Sequence, residues 1–330
     1  MDEFQRDGAA RRRLGKAALG GLALLLSGVP VRAQELPDQI RVIVPLATGS
    51  SLDARARVIV EAIGRQIGRR VIVENRPGAG GTLGTLAVAR AKPDGSTLLF
   101  NNNSHVIAPH VYPAPGYDPL KDFASVIQAY DTGLVLVVHP SLGTKTLKEL
   151  IAAAGRGQVP TYASSGTGGL PHLAMEMLKD ATGMAPAHVP YKGDGPALVD
   201  VLAGRVPVMI SGYPAALAHV QSGSLRALAV TSRRRASMFA DAPTMAEAGY
   251  PGATVDTWAG FYVPAKTPKA IVDRLHREIA AAMKQPLVQE HYIATGAQVA
   301  TGSPAEFAAF TAKESERYGK LVRTLNLKPE

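Results

Sequence analysis

The strongest constraint in this chain is an alternation between two hydrophobic periods. Ile40-Arg41-Val42-Ile43-Val44 reads as a strand, and 52–67 then place Val58, Ala62, Ile63 and Ile67 at helical spacing. Residues 70–73 read as the next strand, 82–91 as a helix, and 96–100 as a strand that ends in Asn101, Asn102 and Asn103. Strand, helix, strand, helix, strand predicts parallel strands with helices on both faces. A second series begins at 134–138 with a strand. A helix at 146–154 follows, with Thr144 as its expected cap, then a strand at 161–163 and a helix at 171–182 with proline in its first turn. The alternation continues through 187–190, 196–203, 206–210, 214–222 and 225–230. A β-rich piece at 256–263 and helices at 268–283 and 304–325 close the chain.

No flexible linker separates the two series, so the expected architecture is α/β with two lobes. Each lobe is a mostly parallel sheet flanked by helices, and crossover strands are shared between them. The expected division is 1–33 as an export signal, 34–133 as the first part of lobe 1, 134–253 as lobe 2 and 254–330 as a return to lobe 1. Hydrophobic residues at 46% and charged residues at 19% permit two packed cores and argue against disorder.

The N-terminus carries a basic stretch, Arg11-Arg12-Arg13, and then an uncharged segment, 17–29, too short for the roughly 20 residues that span a bilayer. Val31-Arg32-Ala33 supplies a cleavage site before Gln34. This order predicts a secretory signal peptide and a periplasmic protein, exported by the general or the twin-arginine route. The chain has no Cys, which excludes disulfides, Cys-based metal sites, a thiol nucleophile and a lipid-anchored N-terminus. A formal net charge of +9 favours anions at long range. The basic residues are scattered, and the one tight cluster, Arg233-Arg234-Arg235, reads as a solvated loop, so nucleic acid is not an expected partner.

In open α/β sheets, pockets lie beyond the carboxyl ends of strands. Two loops there share one chemistry. In 45–53, Gly49 lets the backbone turn and Ser50 or Ser51 can cap the following helix. In 164–169, Ser164, Ser165, Gly166, Thr167, Gly168 and Gly169 precede the helix that starts near Pro171. Free N–H groups at a helix start suit a carboxylate, and a pair of such loops could hold two ends of one anion. A third loop, 76–84, has a loose G-x-G pattern, but Leu83 stands where the dinucleotide fingerprint needs glycine. There is no Gly-x-Ser-x-Gly elbow, P-loop or His-Glu-x-x-His. The eight histidines are dispersed, and only His172, one turn beyond the second loop, is placed to touch a ligand. These absences predict no catalysis, no cofactor and no metal. A periplasmic hydrolase would need a nucleophile with its base, and the sequence offers neither.

Several blocks resemble one family in order along nearly the whole chain. They include Arg41-Val42-Ile43-Val44-Pro45 with the loop to Asp53, Val73-Glu74-Asn75-Arg76-Pro77-Gly78-Ala79-Gly80-Gly81, Lys92-Pro93-Asp94-Gly95, Tyr162-Ala163-Ser164-Ser165-Gly166-Thr167-Gly168 and Ala242-Pro243-Thr244-Met245-Ala246-Glu247-Ala248-Gly249-Tyr250. The chain resembles the Bug-type solute-binding proteins of tripartite tricarboxylate transporters. That resemblance implies a Venus-flytrap cleft that captures a small carboxylate (dicarboxylate, amino acid or aromatic acid) for membrane permease subunits, with a monomer as the working unit. A sensory role beside a membrane histidine kinase is the alternative. It carries ligand contacts onto Thr48, Gly49, Ser50 and Asp53, and onto Ser164, Ser165, Gly166, Thr167 and Gly168. It makes Asn103, Ser104, Tyr191, Asp194 and Trp258 walls of the cleft. The family usually has a second glycine at Ser50, an uncharged residue at Asp194 and an Asp near Ser211. Asp194 is therefore expected either to cap a helix or to accept a hydrogen bond from a ligand ammonium or hydroxyl.

Overall fold

The computed structural model describes residues 35–327 apart from Pro113, Thr301 and Asn326; the stretch read as an export signal lies outside the described residues. Eleven strands form two sheets among the described residues. The first holds β1 (Gln39–Val44), β2 (Arg70–Asn75), β3 (Thr97–Asn102), β4 (Phe123–Thr132), β10 (Thr257–Pro264) and β11 (Gln298–Val299), in the order β11-β4-β10-β3-β1-β2. The second holds β5 (Leu134–Val138), β6 (Thr161–Ser164), β7 (Ala187–Pro190), β8 (Val208–Gly212) and β9 (Arg226–Val230), in the order β7-β6-β8-β5-β9. Parallel pairing joins β1 to β2 and β3, and β6 to β7 and β8. β10 runs antiparallel to β3 and β4, and β5 antiparallel to β8 and β9, so both sheets are mixed.

The period-two pattern of β1 explains the layers of the first lobe. Ile40, Val42 and Val44 join one buried cluster with Leu52, Ala56, Ile59 and Ile63 of the helix Ser51–Ile67, and with Ile271, Leu275, Val288 and Tyr292. Ile43 joins a second cluster with Val106, Ile107, Tyr262, Phe307 and Tyr318. Each such aliphatic side chain contributes about 1.5–3 kcal/mol when fully buried. Helices therefore cover both faces, as the alternation predicts. The buried stripe of Ser51–Ile67 runs through Leu52, Ala56, Ile59, Val60, Ala62 and Ile63, leaving Val58 and Ile67 only half-buried.

The chain passes between the sheets twice. β4 runs into β5 through Gly133 alone, where a Cβ would overlap the Tyr213 hydroxyl, so only glycine fits. Residues 231–256 return it to β10. Two local expectations change. Thr144 does not cap the helix Leu147–Gly155. Thr146 does, accepting the Glu149 N–H at 3.2 Å, while Thr144 is buried and its carbonyl accepts from Arg226. The sequence reading also passed over β4 and the helices Ser104–Val111 and Pro286–Ala294.

Candidate functional site

The first loop is built around a buried acid. Ser50 caps the helix Ser51–Ile67 by accepting the Asp53 N–H at 3.2 Å. The Asp53 carboxylate turns back to accept the Gly49 N–H at 2.9 Å, Arg57 Nε at 3.1 Å and Asn75 Nδ2 at 3.0 Å. Gly49 needs its positive φ of 82° to present that N–H. Burial opposes ionisation of Asp53, but the bonds from Arg57, Gly49 and Asn75 outweigh it and hold the carboxyl below its usual range. Both oxygens are used, so Asp53 ties the loop to the helix and to β2. Thr48 and Gly49 are exposed and Ser50 is half-buried. The capped N–H of Asp53 leaves those of Ser51 and Leu52 at the helix start without intrahelical partners.

The second loop stands on two histidines. Ser164 Oγ lies 2.6 Å from His188 Nε2, and the Gly166 N–H reaches Ser164 Oγ at 3.2 Å. The Gly168 N–H donates to His172 Nδ1 at 3.0 Å, and the His172 and His188 rings stack with centroids 3.9 Å apart. Burial, reinforced by His188, pulls the His172 pKa down to about 4, so the ring is a neutral acceptor. Ser164 and His188 form a serine–imidazole contact that the sequence reading had not found. The hydroxyl is wholly enclosed and already bonded within its own loop, so the contact braces the turn. His172 is likewise buried beneath the loop and not at its surface.

Asp194 comes from a third loop and joins the first two. It is not the cap of the helix Asp194–Leu202. Gly193, at φ 114°, takes that position, and Asp194 is the first helical residue. Its carboxylate turns towards the Gly212 N–H and the Ser165 hydroxyl. Asp194 Oδ2 lies 3.3 Å, and Ser51 Oγ 3.7 Å, from where a Cβ on Gly212 would stand. A Cβ on Gly168 would stand 2.8 Å from Val111 Cγ1, at the end of the helix Ser104–Val111. The two lobes therefore meet at the Gly/Ser loops. Gly212 and Val111 were missed as neighbours of the site. The segment Gly212-Tyr213-Pro214 repeats the strand–glycine–proline-helix order of Gly169-Leu170-Pro171, which is the signal that marks it.

The helices that begin at Ser51, Leu170, Asp194 and Tyr213 all start around this junction. Their N-termini carry partial positive charge. Among the loop residues 45–51, 164–169 and 191–194 the one side-chain cation is Lys192, which is exposed. Thr167 Oγ1 and Asp194 Oδ1 are enclosed there without hydrogen-bond partners.

The other expected walls are each held by hydrogen bonds of their own. Asn103 is a strap: it accepts the Trp258 N–H at 3.0 Å and donates to the Asp256 carbonyl and the Tyr318 hydroxyl. Ser104 donates to Asn101 Oδ1 at 2.8 Å. Tyr191 sends its N–H to the Ser164 carbonyl and its hydroxyl to Asp200, and so props the second loop from outside. Trp258 is buried, packs edge-on against Phe307 and Phe310, and donates its indole N–H to Glu314 at 3.0 Å. It borders a cavity of about 140 Å³ with Asp131, Arg233 and Asp256, none of which belongs to the Gly/Ser loops. A larger groove of about 550 Å³ runs along the interlobe connections past Thr132, Gly133 and Arg233–Arg235. The arginines there are exposed and paired with Asp256, Gln298 and Glu247. No group of acidic, histidine or cysteine side chains among the described residues could hold a metal ion.

Residues 55–327 match the family described as the tripartite tricarboxylate transporter family receptor. The protein BugT of Bordetella pertussis is 38% identical over 318 residues, covering 94% of this chain and 97% of its own. Among solved structures, the periplasmic binding protein BugD is similar at 32% identity and a TM-score of 0.81, over 88% of this chain and 99% of that one. R. palustris Rpa4515, solved with adipate, is similar at 31% identity and a TM-score of 0.82, over 88% of this chain and 98% of that one. The two-lobed α/β fold and these matches agree: the chain belongs to the tripartite tricarboxylate transporter receptor family, as a Bug-type solute-binding protein and not an enzyme.

Proposed function

We propose that this protein captures a small carboxylate reversibly in the periplasm, between its two lobes, and delivers it to the permease subunits of a tripartite tricarboxylate transporter. The observation that carries the reading is the meeting of Gly/Ser loops and helix starts at Ser51, Gly168, Asp194 and Gly212. Backbone N–H groups and helix dipoles attract an anion there without a buried side-chain cation. Ser50, Ser165, Gly166 and Thr167 are the proposed contacts, with Asp53 and His172 holding the two loops in shape. Charge-assisted hydrogen bonds in a water-poor cleft supply the binding energy, and hinge closure about Gly133 and the 231–256 segment commits the ligand. Both halves of the site belong to one chain, so a monomer suffices. The adipate of Rpa4515 supports a small acid as the ligand class, and the N-terminal signal reading supports export.

Native mass spectrometry of gently purified protein tests the capture. One small acid per chain, released on denaturation, is the expected result; an adduct without a carboxyl group contradicts it. Uptake of that acid, labelled, in a strain lacking the protein separates transport from sensing. Lost uptake supports delivery to a permease. Normal uptake with lost induction of the transport genes supports the sensory role.

A further inference from the structure

We infer that Asp194 makes this site select small acids carrying a hydrogen-bond donor, an ammonium or a hydroxyl group, over plain dicarboxylates; the inference rests on the carboxylate-capture reading above. Asp194 could have capped its own helix, but Gly193 holds that position and no side-chain cap bond forms. The carboxylate instead reaches across to the Gly212 N–H and the Ser165 hydroxyl, beside Ser51 of the other lobe. Those two donors leave Oδ1 enclosed with no partner, and Thr167 Oγ1 on the second loop is in the same condition.

An enclosed carboxylate oxygen accepts hydrogen bonds and offers none while ionised. Leaving it unpaired costs free energy, which a ligand donor would recover. A second ligand carboxylate brought to the same place would instead meet a like charge in a poorly solvated cleft. The N–H groups of Ser51 and Leu52 have no intrahelical partners and can take the ligand's own carboxylate. The junction thus offers an anion-accepting side on the first lobe and an acceptor, Asp194, on the second. A molecule with a carboxylate at one end and a donor close by satisfies both. Burial raises the Asp194 pKa against the Gly212 and Ser165 bonds, which agrees with a carboxylate short of donors.

The test is calorimetric titration of the full exported chain and of Asp194→Asn with matched acids. These are succinate, malate and aspartate; propionate, lactate and alanine; and benzoate with its hydroxy and amino derivatives. For the series that binds, the expected result is tighter binding of the hydroxy or amino member by about ten- to a hundredfold, and loss of that preference in Asp194→Asn. Equal or tighter binding of the plain acid by the unsubstituted protein overturns the inference, as does an unchanged preference in the variant. Asp194→Ser repeats the comparison if the asparagine variant melts early. Binding without discrimination sinks this inference alone, whereas no binding by any member sinks the carboxylate reading with it.

Discussion

Replacing Gly168 by alanine separates loop strain from lobe contact. The residue has a φ of 73°, in the left-handed region, where a Cβ costs about 1–2 kcal/mol. That strain acts within the second lobe whether or not the lobes meet, so it lowers stability without discriminating between the two states. The second effect is different. The new methyl would stand 2.8 Å from Val111 Cγ1 and 3.2 Å from Cγ2, well inside the roughly 3.5–4.0 Å of normal carbon contact. Val111 is buried at 5% exposure and belongs to the first lobe, so it has no room to withdraw. Overpacking of this kind costs about 1–3 kcal/mol, and it is felt only when the lobes come together. The dissociation constant should therefore rise by about five- to 150-fold. Titration of a confirmed ligand into Gly168→Ala measures that loss, and a melting curve measures the strain separately. Adding Val111→Ala should restore most of the affinity while leaving the strain in place. A double variant that stays as weak as Gly168→Ala would refute the idea that this contact belongs to closure.

Other consequences follow from the braces beneath the loops. Asp53→Asn should cost about 1–3 kcal/mol at neutral pH by leaving Arg57 and the Gly49 N–H short of a charged acceptor. Because the folded carboxyl titrates below its usual 3.8, this stability is present above pH 3.8 and disappears as pH falls through the lowered value. Melting curves of the two proteins should therefore converge in strong acid. His172 works in the opposite charge state: its folded pKa of about 4 lies below the usual 6.5, so its contribution is full above pH 6.5 and is lost as pH falls towards 4. His172→Phe should flatten that limb of the stability profile, and an unchanged slope would exonerate the ring. Trp258, enclosed against Phe307, Phe310 and Glu314, should emit at short wavelength and resist iodide quenching. Ready quenching in the native protein would contradict its placement.

Features fixed by local pattern were legible in the sequence, and features fixed by distant partners were not. β1 and the helix Ser51–Ile67 announce themselves through periods of two and 3.6 residues, and the Gly/Ser loops through their place after strands. β4 escaped because it is buried along most of its length and its pairing with β10 shifts register at two places, which blurs alternation. The helix Ser104–Val111 escaped because it is short and carries Pro109. At the site, the resemblance points to Asp53, but its partners Arg57 and Asn75 lie outside the 45–53 loop and carry no local signal. Asp194 stands at a helix start, as the sequence pattern places it, but the group its carboxylate turns towards, Gly212, is on another strand. Ser164 and His188 lie 24 positions apart and meet only because β6 and β7 pair in parallel. The resemblance makes Trp258 a wall of the cleft, and its ties to Asn103, Glu314 and two phenylalanines, all distant in the chain, carry no local signal.

Backbone N–H groups at the meeting of the two lobes are proposed to hold a carboxylate, and a pair of titrations probes that charge. The acid identified by native mass spectrometry and its primary amide are titrated into the same protein under the same conditions. The acid should bind one to one, and the amide, which keeps the shape but not the charge, should bind at least about a hundredfold more weakly. Equal affinity for the two would mean that these N–H groups do not hold a carboxylate.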